Sequence, residues 1–206
     1  LVGSEMCIRD SCKAEVFKNC IIGTLRLPQK SAKRLPQLSF GFYLTEQSIL
    51  CVEDVGDLKL WVEKRISMFQ KIYSPAQLLL QFMEQMIEDD VLYLSHIEAE
   101  TEKMEENIIS GGSKDFFDLL TKRRQKLSEL NAYYEQLTDI GELFQSRICS
   151  SFADDIQIWD KFTHRAERLQ DHVHLLRENM LQLRELYQSK QDVQPVSYTH
   201  LTLPTT

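Results

Sequence analysis

The spacing of hydrophobic positions changes character near residue 57. Before it, short β-branched or aromatic runs are separated by polar turns; after it, apolar residues recur every three or four positions. Val16-Phe17, Ile21-Ile22 and Gly23-Thr24-Leu25-Arg26-Leu27 read as strands, closed by Pro28 and a polar, basic connection over 29–34. Leu38-Ser39-Phe40-Gly41-Phe42-Tyr43-Leu44 and Ser48-Ile49-Leu50-Cys51-Val52 flank Thr45-Glu46-Gln47, the pattern of a hairpin. Four such strands with little chain ahead of them read as part of a larger sheet, and its unpaired edge predicts aggregation or disorder before about residue 55.

Leu58, Leu60, Trp61, Val62, Ile66 and Phe69 suit a short amphipathic helix lying on that sheet. Ser74-Pro75 is an N-cap residue followed by proline at the first helical position. A helix is expected from Pro75 to about Ile109, stopped by Ser110-Gly111-Gly112; a second from near Ser113 to about Cys149; a third from near Ala153 onward. Thirty-five residues at the α-helical rise make a rod roughly 50 Å long. The third carries Trp159, Phe162, Ala166, Leu169, Val173, Leu176, Met180, Leu183 and Tyr187 in alternating steps of three and four. The first repeats through Met83, Ile87, Leu94, Ile97, Thr101, Met104 and Ile108, broken only by Asp90; the second through Phe117, Leu120, Leu127, Tyr134, Leu137, Phe144 and Ile148. Such seams are what long antiparallel helices bury against one another. The fold class is therefore α+β: a partial small sheet with a short helix, then three long antiparallel helices.

The two ends stand apart from this pattern. Met6-Cys7-Ile8-Arg9-Asp10 can be encoded so that its reverse complement reads Val-Ser-Tyr-Thr-His, which is residues 196–200. Segments 1–11 and 195–206 are accordingly read as adaptor-like sequence and set aside. The remainder divides into 12–73, a partial α/β domain, and 74–194, a long-helix bundle.

With 31 acidic and 24 basic residues, the chain has a net charge of −7 and no basic cluster beyond Lys122-Arg123-Arg124, a poor endowment for nucleic acid. Cys20, Cys51 and Cys149 are scattered, which argues against a disulfide framework or zinc knuckle. No apolar run is long enough to cross a bilayer. Glycine-rich phosphate loops and the common hydrolase and kinase motifs are absent, so no enzyme is expected. His172 and His174 form an HxH pair whose rings diverge by about 200° on a helix, so one ion cannot take both from it. The acidic run from Glu98 to Glu106 reads as a solvated helix face.

The stretch Gln81-Phe-Met-Glu-Gln-Met-Ile-Glu-Asp-Asp-Val-Leu-Tyr-Leu-Ser-His-Ile-Glu98 resembles the first long helix of CorA-type magnesium transporters. So do, in order, Met104-Glu-Glu-Asn-Ile-Ile-Ser-Gly111, Leu120-Thr-Lys-Arg-Arg-Gln-Lys-Leu127, Tyr133-Tyr-Glu-Gln-Leu-Thr-Asp-Ile-Gly141 and Leu183-Arg-Glu-Leu-Tyr-Gln-Ser189. Phe40-Gly-Phe-Tyr-Leu-Thr45 with Ile49-Leu-Cys-Val-Glu-Asp54 is similar to the strand pair ahead of the family's helices. The resemblance implies the cytoplasmic part of a homopentameric divalent-cation transporter of the cell membrane. Its pore helices and Gly-Met-Asn signature would lie beyond this sequence, so the segment alone would not transport. Mg²⁺ is the implied cargo and regulatory ion. The carboxylates to inspect for a regulatory site are Glu53, Asp54, Asp89 and Asp90, at the junction of sheet and helices. Two other readings are a soluble three-helix coiled-coil interaction module and a Zn²⁺- or Co²⁺-moving member of the same superfamily.

Overall fold

The computed structural model describes residues 12–30, 38–53, 56–69, 74–111, 115–146 and 156–193. The expected strands form one antiparallel sheet in sequence order: β1 (Lys13–Phe17), β2 (Cys20–Arg26), β3 (Ser39–Leu44) and β4 (Ile49–Val52). Its register sets Gly23 opposite Phe42 and Tyr43 opposite Leu50. Position 23 takes glycine for steric reasons: a Cβ there would run into the Phe42 ring and the Lys13 carbonyl. The β3–β4 turn is closed by Thr45, whose hydroxyl oxygen accepts from the Ser48 amide at 3.0 Å and whose own amide donates to the Ser48 carbonyl at 2.9 Å. Ile21, Leu25, Phe40, Phe42 and Leu44 are buried from this sheet.

Helix α1 (Asp57–Arg65) runs into a 3-10 turn at Ile66–Met68. It buries Leu58, while Leu60 is exposed; the side chain of Ile66 lies outside the described residues. The Trp61 ring of this helix and the Phe69 ring just past the turn meet Phe82 of the next helix at 6.0 and 5.3 Å.

The first expected rod is two helices. Helix α2 (Pro75–Met86) starts as anticipated, with the Ser74 hydroxyl oxygen accepting from the Gln77 amide at 3.1 Å, but stops eleven residues past its proline. Helix α3 (Asp90–Ile109) follows after the turn Ile87–Asp89, and Gly111, at φ +86°, succeeds its end. Helix α4 (Phe116–Gln145) and helix α5 (Ile156–Val193) complete the fold. At 38 residues α5 is about 57 Å long. Gly112, Ser113, Ile148, Cys149 and Ala153, named above at helix ends, lie outside the described residues.

Ring contacts give the helix directions. Phe144 stacks on Trp159 at 4.1 Å at one end of the α4–α5 pair and Phe116 on Tyr187 at 4.3 Å at the other, so these two are antiparallel. Contacts of Glu98 with His172 and of the Ile108 carbonyl with Lys190 show that α3 and α5 run parallel. Trp159 through Leu183 of the expected α5 seam are buried without exception, and Tyr187 is half-buried. In α4 the seam begins at Phe116, not Phe117, which is half-exposed. Gly141 lets α5 come close: a Cβ there would collide with the Thr163 hydroxyl, which accepts from Gln145 Nε2 at 2.6 Å and donates to the Trp159 carbonyl at 2.9 Å.

Candidate functional site

Two polar constellations emerge, one at the α2–α3 break and one between α3 and α5. At the break, Asp90 sits in the apolar seam and is almost wholly buried. One of its carboxylate oxygens receives Lys30 Nζ at 2.5 Å and the other the Tyr134 hydroxyl at 2.9 Å. Lys30 arrives from the segment after β2, passes 5.3 Å from the Tyr133 ring centroid, and also donates to the Met86 carbonyl at 2.8 Å. Burial lowers the Lys30 pKa, and the Asp90 charge partly offsets this. Desolvation pushes the Tyr134 phenol up, with the Asp90 charge acting in the same direction. From α5, Arg165 donates to the Glu88 carbonyl at 3.2 Å and the Ile87 carbonyl at 3.4 Å.

Three of the four carboxylates singled out from the sequence lie among the described residues. Asp90 is committed to Lys30 and Tyr134, and the exposed Asp89 lies beside the same cation. Glu53 stands at another junction, where its oxygens accept from the Leu58 amide at 2.6 Å and the Lys59 amide at 3.3 Å and so cap α1. Asp54 lies outside the described residues. A metal ion would have to displace Lys30 to use Asp90, or uncap α1 to use Glu53. Among the described residues no group of three His, Cys, Asp or Glu side chains could hold a metal ion.

The second constellation is a groove of about 400 Å³ between α3 and α5, lined by Glu98, Thr101, Glu102, Glu105, Asn179 and Gln182 among others. Its glutamates follow i, i+4, i+7 spacing and so share one side of α3, whereas Glu100 turns away to Arg123 at 2.6 Å. This spacing was present in the acidic run and distinguishes its two sides. Without convergence on one point, the groove offers a diffuse negative potential rather than chelation. His172 is partly buried and lies 3.6 Å from Glu98, whereas His174 is exposed, so the HxH pair diverges as its spacing requires. No helix among the described residues is long and apolar enough to cross a membrane.

Solved structures share this fold, among them the following three. The full-length CmaX protein superposes with a TM-score of 0.71 at 14% identity, over 92% of this chain and 60% of that one. The soluble domain of CorA from Methanocaldococcus jannaschii gives 0.72 at 16% identity, over 88% and 74%. The ZntB cytoplasmic domain from Vibrio parahaemolyticus RIMD 2210633 gives 0.69 at 10% identity, over 89% and 75%. The chain thus spans 60% of the length of full-length CmaX. No curated protein matches it. The family described as CorA-like Mg2+ transporter protein matches residues 5–195, nearly the whole length, and the chain belongs to that family.

Proposed function

We propose that this chain is the cytoplasmic, regulatory part of a divalent-cation transporter, with Mg²⁺ as the cargo of the intact protein. The observation that carries this reading is the family match over residues 5–195, on a chain whose small sheet precedes a 38-residue unbroken rod. A rod of that length suits a part that transmits movement from the sheet end toward a bilayer. In the same reading the intact protein is a homopentamer of the cell membrane, inserts through helices that follow this segment, and catalyses no reaction.

In this reading, regulation by internal Mg²⁺ acts between neighbouring subunits. Acidic faces there repel each other, and a hydrated divalent ion holds them together. Exposed Asp89 and the Glu98–Glu102–Glu105 side of α3 are the surfaces available for this. The test is proteolysis of the full-length protein in its membrane across millimolar Mg²⁺. Protection of this segment that rises with Mg²⁺ supports the reading, and an unchanged cleavage pattern counts against it.

The likeness to the ZntB cytoplasmic domain favours keeping a second cargo in view. Uptake measured with Mg²⁺, Zn²⁺ and Co²⁺ in competition separates the cases. A free-standing three-helix interaction module accounts for the seams but leaves the sheet without a role.

A further inference from the structure

We infer that the α2–α3 break is a joint imposed from outside the helix, with a second, continuous-helix state close in energy. No residue from Ala76 to Ile109 is proline or glycine, and the apolar register runs on through Met83, Ile87 and Leu94 as if the helix were unbroken. All three of those residues are buried. The chain nonetheless leaves the helix at Ile87, with φ −111° and ψ 6°, and re-enters it at Asp90.

Breaking a helix frees carbonyls that must find other donors. Here three of them, at the turn itself, find one each. The Met86 carbonyl takes Lys30 Nζ at 2.8 Å, the Ile87 carbonyl takes the Asp90 amide at 3.2 Å together with Arg165, and the Glu88 carbonyl takes Arg165. In a continuous helix the same carbonyls would accept from the amides of Asp90, Val91 and Leu92. Both arrangements satisfy these three carbonyls, so neither carries the large cost of an orphaned one among them. What tips the balance is a pair of cations from two separate parts of the molecule, Lys30 beyond β2 and Arg165 on α5. A shift of the sheet against α5 would loosen one grip or the other, and α3 would change direction in response. The joint stands on these contacts alone and does not depend on what the intact protein transports.

The test places spin labels at Leu78→Cys and Ala99→Cys in the full chain with its native cysteines replaced, and reads the distance between them. Twenty-one residues of continuous helix span about 32 Å. In the parent sequence the distance departs from that span. In Lys30→Met/Asp90→Leu, which removes both buried charges together, it moves to the straight-helix value. An identical distance in both chains overturns the inference, because the break would then be intrinsic to 75–109. Arg165→Gln, at the solvent side of the joint, leaves the buried pair in place and serves if the double variant does not fold. It is expected to add a second population at the straight-helix distance, and a single unmoved distance in that variant also overturns the inference.

Discussion

Asp90 is the residue on which the polar interior turns, because a carboxylate in an apolar seam must be neutralised or partnered. Its partners are Lys30 and Tyr134. Lys30→Met alone would strand the buried carboxylate and should lower the unfolding free energy by about 3 kcal/mol, whereas Lys30→Met/Asp90→Leu should recover most of that loss. Urea unfolding midpoints of the three chains check this; equal losses in single and double variants would show that the apolar pair cannot substitute for the ionic one. At the surface, His164 faces Glu167 at 2.8 Å and Asp160 at 3.6 Å. The hydrogen bond with Glu167 and the charges of Asp160 and Glu167 raise its pKa above the ordinary histidine value. A raised folded-state pKa means that the contact stabilises fully below the unfolded-state pKa and that this contribution fades as pH climbs through the folded-state value. An NMR titration should place His164 above about 6.5, and Glu167→Gln should bring it down.

Among the elements, α5 was the most legible in the sequence and the α2–α3 break the least. The α5 seam could be read because each buried residue is three or four positions from the last, without a break from Trp159 to Leu183. The break could not, since its causes are Lys30 and Arg165, residues far along the chain from Met86 and Glu88. Asp90 was visible as the one acid in an apolar register, but its lysine and tyrosine partners were not. Phe116 and Phe117 were exchanged for a simpler reason: two adjacent aromatics fit the period equally, and stacking of Phe116 on Tyr187 decides between them. The close approach of α4 and α5 depends on Gly141, and the sequence shows only a glycine inside a helix, nominally a weakness. Gly141→Ala should therefore destabilise despite its gain in helix propensity. The added methyl must displace Thr163 and its bond with Gln145, an overpacking cost of about 1–3 kcal/mol. Circular-dichroism melts would show it, and a variant of equal or higher Tm would mean that α5 shifts away freely.

At the level of the whole molecule, the sheet is packed on one side and leaves several apolar side chains exposed on the other. The register places Phe17 and Cys20, Ile22 and Tyr43, and Tyr43 and Leu50 opposite one another, with Val52 two residues beyond Leu50 on the same side. Of these, Phe17, Tyr43, Leu50 and Val52 are all about half-exposed, which is unusual for apolar residues clustered on one sheet face. Among the described residues β1 and β4 are edge strands, and β4 brings Leu50 and Val52 to an unpaired edge. An apolar face continuous with an open edge invites pairing between molecules. The chain on its own should therefore self-associate in a concentration-dependent way. Leu50→Lys/Val52→Lys should reduce that association, since neither side chain contributes to the buried core and two charges on β4 oppose edge pairing. Sedimentation velocity at rising protein concentration tests this directly. A parent chain that stays monomeric throughout would show that the exposed apolar side chains and the edge are harmless, while association undiminished in the lysine variant would move the sticky surface elsewhere, to the exposed Ile109, Phe117 and Leu119 at the far end of α3 and α4.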